Sequence, residues 1–401
     1  MLPKGFKVGG MHVGISNKKA SKLDLSLFIS ECPASVAGVF TRNIVKAAPI
    51  IVSIKRLQHI KKCYGIVANS GCANACTGIR GIKTAEYICA VVENSLKLKS
   101  ETILCASTGI IGKQITLNKK IFEKNISDIV NNGLGRSAKN EENAVFGIMT
   151  TDTFIKKISK SIVIDNRKVV IWGCVKGSGM IHPDLIGFHA TMLSFILTDL
   201  NINNTTLQTI LNESIDSSFN NISIDGDTST NDSIIVLANG KSNVTLSSQI
   251  DIKNFIDAFN EVTIELAKLI VKDGEGATKF VELEVKNTKT KNDAKKIAST
   301  VATSPLFKTA LFGSDLNWGR IIAAIGRSGV NFNINKIDIY VADLQILKNG
   351  KVVKFSNNTA KTLLLKKEIK FIIDFKEGSA SIKYYTCDFS YNYVKINSEY
   401  N

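Results

Sequence analysis

The stretch from Val175 to Asp199, V-K-G-S-G-M-I-H-P-D-L-I-G-F-H-A-T-M-L-S-F-I-L-T-D, decides how the rest of the chain is read. A glycine-rich loop holding one proline leads to Ala190-Thr191. From there Thr191, Leu193, Phe195 and Leu197 alternate with Met192, Ser194, Ile196 and Thr198, as the two faces of a buried strand do. The pattern puts a threonine at the first position of a strand, directly after a loop.

An internal threonine hydroxyl has no base of its own, and cutting the peptide bond before it would supply one. Attack on the preceding carbonyl, N-to-O acyl shift and hydrolysis would free the Thr191 α-amine, whose ordinary pKa of about 8 suits a base beside the nucleophile. Taken alone, an Ala-Thr pair reads as an ordinary loop-to-strand junction, since such pairs occur in any chain of this length.

Other segments narrow the choice. They are N-S-G-C-A-N-A-C-T-G at Asn69 to Gly78, A-S-T-G-I-I-G at Ala106 to Gly112, and M-T-T-D-T at Met149 to Thr153. D-G-D-T-S-T-N-D at Asp225 to Asp232, D-G-E-G-A-T-K at Asp273 to Lys279, and S-P-L-F-K-T-A with N-W-G-R between Ser304 and Arg320 continue the series. Together with K-G-S-G-M-I-H-P and A-T-M-L, this order resembles the ornithine acetyltransferase family, also called glutamate N-acetyltransferase, over nearly the whole chain.

The resemblance implies an α/β fold with a two-layer β-sheet core sandwiched by helices, αββα-like and of N-terminal-nucleophile style. It implies self-cleavage between Ala190 and Thr191 into an α chain, 1–190, and a β chain, 191–401. Thr191 would carry acetyl from N-acetylornithine to glutamate in arginine biosynthesis, with Thr108 and Gly109 as the oxyanion hole. Thr150, Lys176, Thr191, Glu275 and Asn397 match substrate-binding positions. The two chains would stay associated, in a homo-oligomer of αβ units. No cofactor or metal is implied, and acetyl-CoA stays open as a co-substrate.

Two departures stand out. The family passes from proline to Ala-Thr in about two residues, as in P-N-M-A-T, whereas Asp184 to His189 intervene here. The chain ends I-N-S-E-Y-N where the family commonly has I-N-A-D-Y-R and a further hydroxyl residue, so that hydroxyl is missing. Two other readings therefore stay open: a hydrolase or aminopeptidase using the same threonine, and an uncleaved binding protein.

Without the resemblance S-T-G reads as a glycine turn and Lys176 as a surface lysine; with it, the residue types suit the chemistry. A strand ending in S-T-G offers a hydroxyl and an unhindered N–H to a developing oxyanion. Glu275, between two glycines, suits a cationic amine. Lys176 could hold a carboxylate or lower the pKa of a nearby amine. Gly112-Lys113 lacks the flanking residues of a phosphate loop, and D-G-D-T-S-T-N-D lacks the Gly and Glu of a calcium loop. Cys72 and Cys76 have no second pair at zinc spacing. His12, His59, His182 and His189 are dispersed, and Cys72 alone is a weak candidate for a nucleophile.

Composition sets outer bounds. The 401 residues, 44% hydrophobic and 21% charged, can bury large cores in two lobes or one α/β unit. The net charge of +16 is spread over scattered lysine pairs such as Lys61-Lys62 and Lys295-Lys296 without aromatic interleaving, which argues against nucleic acid and fits attraction of anionic substrates. Eight cysteines in apolar settings, and an N-terminus without the apolar run of a signal peptide, indicate a reducing, cytoplasmic setting. No apolar run is long enough for a membrane span.

Periodicity gives the coarse elements. Residues 1 to 55 read as short strands in a meander. Tyr64 to Ala68, Ile103 to Ala106 and Ser233 to Ala238 read as strands, and Ser161 to Asp165 with Lys168 to Lys176 as a hairpin. Thr84 to Leu96, two stretches in 118–147, Asn204 to Phe219 and Asp251 to Lys272 read as helices. Val281, Leu283 and Val285 mark a strand, Asn292 caps a helix toward Thr303, and Ile369 to Ile396 reads as two or three antiparallel strands.

Overall fold

The computed structural model describes residues 1–16, 22–182 and 192–399; Ala190, Thr191 and the loop from Asp184 to His189 lie outside the described residues. In chain order the elements are β1 (Phe6–Met11), β2 (Leu25–Phe40), α1 (Ala48–His59), β3 (Cys63–Asn69), α2 (Gly78–Ser95), β4 (Ile103–Ser107), α3 (Lys119–Asp128) and α4 (Ala138–Phe146). Next come β5 (Lys156–Ile164), β6 (Arg167–Lys176), β7 (Leu193–Thr198), α5 (Asn204–Ile215), β8 (Ile222–Ser223), β9 (Ser233–Ala238) and α6 (Gln249–Lys272). The remainder is β10 (Phe280–Thr288), α7 (Lys291–Ala302), α8 (Pro305–Phe312), α9 (Trp318–Gly326), β11 (Asp338–Val341), β12 (Leu344–Lys348), β13 (Lys351–Val352), α10 (Asn357–Leu364), β14 (Glu368–Asp374), β15 (Ala380–Cys387) and α11 (Tyr391–Ser398). They form two compact units, Met1–Ser218 with Asp227–Leu266, and Phe219–Gly226 with Ala267–Asn401. Each unit holds a mixed sheet packed with helices, so the chain belongs to the α/β class expected of it.

The first unit is built on a sheet of order β4-β3-β2-β9-β7-β6-β5, with β1 also on β2. Its organiser is β2, a single strand of 16 residues where the sequence reads as two shorter ones. Its first part pairs with β1 and β3, its register shifts between Ile29 and Ala34, and Ser35 to Phe40 then pair with β9. Alternation assigns its side chains to two cores. Leu25, Leu27 and Ile29 pack with Ile88 and Val92 of α2 and Phe122 of α3. Phe28, Val36 and Phe40 join Ile50 of α1, Trp172 and Phe195 on the opposite face. All six residues of β7 and of β9 are buried, as expected for parallel neighbours covered on both faces. β5 and β6 join through Asp165 and Asn166, both at positive φ, the backbone a two-residue hairpin turn requires.

The meander expected over residues 1–55 is interrupted by α1. Its opening A-A-P-I-I-V is a short apolar run whose period does not separate helix from strand, and Pro49 in the first turn favours the helix. α1 carries Arg56 inward to Glu93 of α2, N to O 2.6 Å, and burial of that guanidinium is matched by this partner.

The second unit has a sheet of order β13-β12-β11-β14-β10-β15-β8. Alternation along β10 sends Val281, Leu283 and Val285 into a core with Ala294, Ile297 and Val301 of α7 and Phe307 of α8. Glu282 and Glu284, on the other face, meet Lys370 of β14 and Lys383 of β15. Thr290, not Asn292, caps α7 by accepting from the Asp293 N–H. The tail also differs from expectation. β14 runs parallel and β15 antiparallel to β10, which lies between them, because alternation specifies a face and not a neighbour. Beyond Cys387 the chain turns helical as α11, started by the Ser390 hydroxyl accepting from the Asn392 N–H.

The proposed cut before Thr191 divides the covalent chain and not these units. β7 and β9, which follow the cut, lie in one sheet with β2 and β6, which precede it. Fragments made there would remain interleaved strand by strand.

Candidate active site

β3 and β4 are parallel neighbours, and each delivers a loop from the same end of the first sheet. Asn69, the last residue of β3, ties the two loops together. Its side-chain amide donates to the Cys72 carbonyl, its Oδ1 accepts from the Ser107 hydroxyl, and its carbonyl accepts from the Thr108 N–H at 2.9 Å. Asn231 adds a second clamp, donating to the carbonyls of Ala73 and Ser107. Gly109 follows at φ +129, where an added Cβ would run into the Gly71 carbonyl carbon and sit 2.5 Å from the Cys72 amide nitrogen. Only glycine fits there without displacing the neighbouring loop.

This arrangement decides which donors the S-T-G turn can offer. The Thr108 N–H is already bound to Asn69, whereas the Gly109 N–H has no hydrogen-bond partner among the described residues. The Thr108 Oγ1 accepts from Lys176 Nζ at 3.1 Å, which leaves its own hydrogen free to point elsewhere. One hydroxyl and one glycine N–H therefore remain among the described residues, and the second N–H of the turn is committed to structure.

Lys176 ends β6 and is only 3% exposed. Besides Thr108 it donates to the Thr150 hydroxyl at 3.0 Å, so three of the expected site residues meet at one ammonium. Asp152 holds the surrounding backbone. It accepts from the Thr150 N–H at 3.0 Å, from the Gly177 N–H at 2.7 Å, and from Lys156 Nζ at 2.6 Å. Burial pushes this carboxyl up, but the charges of Lys176 and Lys156 and the hydrogen bonds outweigh burial and bring it down to about 2. Lys176 pairs across β6 and β7 with Leu193, and Met192 just before it is buried, its carbonyl accepting from the Ser233 N–H.

Glu275 and Asn397 lie in the second unit and also meet. Asn397 Nδ2 donates to Glu275 Oε2 at 3.0 Å and to the Tyr393 carbonyl. Gly276, at φ +67, lets α11 approach so closely that a Cβ would collide with the Tyr393 backbone, and the Ser390 hydroxyl donates to its carbonyl. Glu275 is 7% exposed, so a carboxylate stands nearly buried beside one amide.

Sequence reasoning passed over Asp152, Asn231 and Asp232, although each sits in a quoted motif. The Cys72 thiol is buried, donates to the Lys113 carbonyl, and is pushed up by burial, a poor setting for a nucleophile. Among the described residues, no three His, Cys, Asp or Glu side chains gather as a metal site needs. No described helix is long and apolar enough to cross a membrane.

The family model described as the ArgJ family matches residues 7–401. The arginine biosynthesis bifunctional protein ArgJ of Caldanaerobacter subterraneus subsp. tengcongensis is 42% identical over 405 residues, covering 100% of this chain and 97% of that protein. Its namesake from Thermotoga neapolitana is 41% identical, covering 100% of this chain and 99% of that one. Among solved structures, a crystal structure of the arginine biosynthesis bifunctional protein from Bacillus halodurans matches with 41% identity and a TM-score of 0.51, covering 52% of this chain and 99% of the solved chain.

Proposed function

From the premise that this chain belongs to the ArgJ family, we propose that it is a self-processing acetyltransferase of arginine biosynthesis, moving acetyl from N-acetylornithine to glutamate. The observation that carries the reading is the meeting of Thr108 and Thr150 on the buried Lys176, at the end of β6 whose neighbour β7 begins just after the expected nucleophile. The match to the solved relative spans 52% of this chain and 99% of that one, a length compatible with one of two processed fragments.

In this scheme the Thr191 hydroxyl attacks the acetyl carbonyl of N-acetylornithine while the Thr191 amine takes the hydroxyl proton. Negative charge on the carbonyl oxygen is met by the free hydrogen of Thr108 and the unpartnered Gly109 N–H. The donors are fixed beforehand by Asn69 and Lys176, so little reorganisation opposes the step. The C–N bond breaks, the ammonium returns its proton to the departing amine, and ornithine leaves an acetyl ester on Thr191. Glutamate then attacks that ester by the reverse sequence. Thr150 and Lys176 would hold substrate polar groups, and Glu275 with Asn397 the ornithine ammonium. Acetyl-CoA, as a soluble second donor, would load the same threonine.

The hydrolase reading is not favoured, since relatives matching the full length carry the arginine biosynthesis name. The deciding test is transfer of labelled acetyl from N-acetylornithine to glutamate without added CoA, with label trapped on the protein at Thr191. Label released only as acetate would overturn the transferase reading.

A further inference from the structure

Asp232 closes the D-G-D-T-S-T-N-D motif and is 1% exposed, yet among the described residues neither carboxyl oxygen has a hydrogen-bond partner. Few buried polar groups are left in this condition, and a carboxyl left so costs folding energy that something else must justify. Its backbone is fixed: its carbonyl accepts from the Thr41 N–H, and the next residue, Ser233, pairs with Leu193 in the parallel β7–β9 ladder. Asp232 therefore stands across the ladder from Met192. Burial pushes the carboxyl well above the usual range, and the Lys176 charge and the nearby Met192 N–H draw it back only in part. No hydrogen bond of ordinary geometry forms to Met192. Lys176, from the end of β6, is the charged side chain that faces it, and Asp152 lies behind that lysine.

We propose that Asp232 is a positioning residue whose carboxyl receives the α-ammonium that cleavage before Thr191 creates, orienting that amine as base. The proposal rests on the reading given under Proposed function. In the chain's covalent geometry, the nitrogen of a residue lies no more than about 3.7 Å from the nitrogen of the next. The Met192 N–H lies near the carboxyl, and the new amine is held one residue from it by covalent geometry. Before the cut the Thr191 nitrogen is an uncharged amide, and the Lys176 charge offsets burial of the carboxyl only in part. After it, a carboxylate faces an ammonium in a site shielded from water, where the pairing is strong. During transfer the hydroxyl proton passes to the amine, the O–C bond forms, and Asp232 stabilises the resulting ammonium until its proton goes to the leaving amine. This is the role of the third member of a nucleophile, base and orienter set.

The test compares wild type, Asp232→Asn and Asp232→Glu as purified full chains, by intact mass, acetyl exchange and pH profile. In cleaved Asp232→Asn, kcat should fall by roughly 10²–10⁴-fold with KM within about twofold, by analogy with loss of an orienting carboxylate. The acid limb of kcat/KM should move to lower pH, because the ammonium has lost its counter-charge. Asp232→Glu should restore part of kcat and of the limb, which a packing role alone would not do. A cleaved Asp232→Asn with wild-type kcat and an unmoved limb overturns the proposal. If Asp232→Asn yields no cleaved chain, amine-selective acylation of wild-type Thr191 decides: a midpoint above the ordinary α-amino value of about 8 supports the pairing, and one at or below it overturns it. A wild type that is never cut sinks the underlying reading instead, and is seen before any variant is made.

Discussion

Lys156 Nζ lies 2.6 Å from Asp152 Oδ1, four residues earlier, with both side chains fully shielded from water. The pair stands behind the hydrogen bonds that Asp152 accepts from Thr150 and Gly177, so the site's geometry and its electrostatics share one carboxylate. The Asp152 carboxyl sits at about 2 in the folded chain against 3.8 ordinarily. A depressed carboxyl contributes stability above its unfolded pKa and loses it as pH falls through the folded value. The contribution, roughly 2–3 kcal/mol, should therefore be present at neutral pH and disappear between 3.8 and about 2. Urea midpoints across that window should fall for wild type and fall less for Asp152→Asn. The variant should itself be destabilised by roughly 3–5 kcal/mol at neutral pH, because the buried Lys156 loses its Asp152 counter-charge.

Thr108 can be removed with little change in shape, and the oxyanion reading predicts the consequence. Thr108→Ala should lower kcat by roughly 10²–10³-fold with a small change in KM, the cost of one preplaced donor. Thr108→Ser should retain most of the rate. Gly109→Ala should fail differently, since its Cβ would strike the Gly71 to Cys72 backbone at φ +129, and should lower both thermal stability and rate. Steady-state kinetics with thermal melts on the three variants check this; a fully active Thr108→Ala would remove the hydroxyl from the mechanism.

The candidate site comes into view in the sequence through the family resemblance, which picks out a threonine and glycine ending a strand, a lysine at a loop mouth and a glutamate between glycines; on local grounds alone the first reads as a glycine turn and the second as a surface lysine. Asp152, Asn231 and Asp232 do not stand out in the sequence, because their settings arise from burial that no local pattern encodes. A polar residue in a polar loop looks solvated until the fold closes over it. The sheet elements follow the same division. β9 and α6 lie where their patterns put them, since β9 is a continuous apolar run buried on both faces and α6 buries one stripe of its own residues. The neighbours of β14 and β15, and the helix α11, depend on partners far away in the chain.

The hydrogen bond from Asn397 to Glu275 gives the ornithine side of the reaction its own prediction. If the Glu275 carboxylate receives the ornithine ammonium, Glu275→Gln keeps shape and loses charge. A hydrogen bond to a charged group is worth roughly 1.5–3 kcal/mol, so KM for N-acetylornithine should rise by roughly 10- to 100-fold. KM for glutamate should move much less, because glutamate has no side-chain cation. Asn397→Ala should show a weaker form of the same asymmetry. Equal effects on both substrates would assign Glu275 to a structural role.

Processing itself supplies the last prediction. Cleavage between Ala190 and Thr191 should yield chains 1–190 and 191–401, the second beginning T-M-L-S-F, and Thr191→Ala should abolish it. The residues Asp184 to His189 make the approach to the cut longer than in P-N-M-A-T. Attack needs the hydroxyl at roughly 3 Å from the carbonyl carbon, and each added residue widens the ensemble from which that conformer is drawn. The entropic cost grows slowly, by about 0.6 kcal/mol per doubling of loop length, so slower cleavage is expected and not its loss. Deleting Ile186 to His189 leaves P-D-L-A-T and should accelerate processing in a time course of intact mass. If the deletion instead stops cleavage in a protein that still melts cooperatively, the added residues help shape the reactive bend and are not an obstacle to it. The interleaving of β7 and β9 with β2 and β6 predicts that the two fragments, once formed, co-purify without a covalent link.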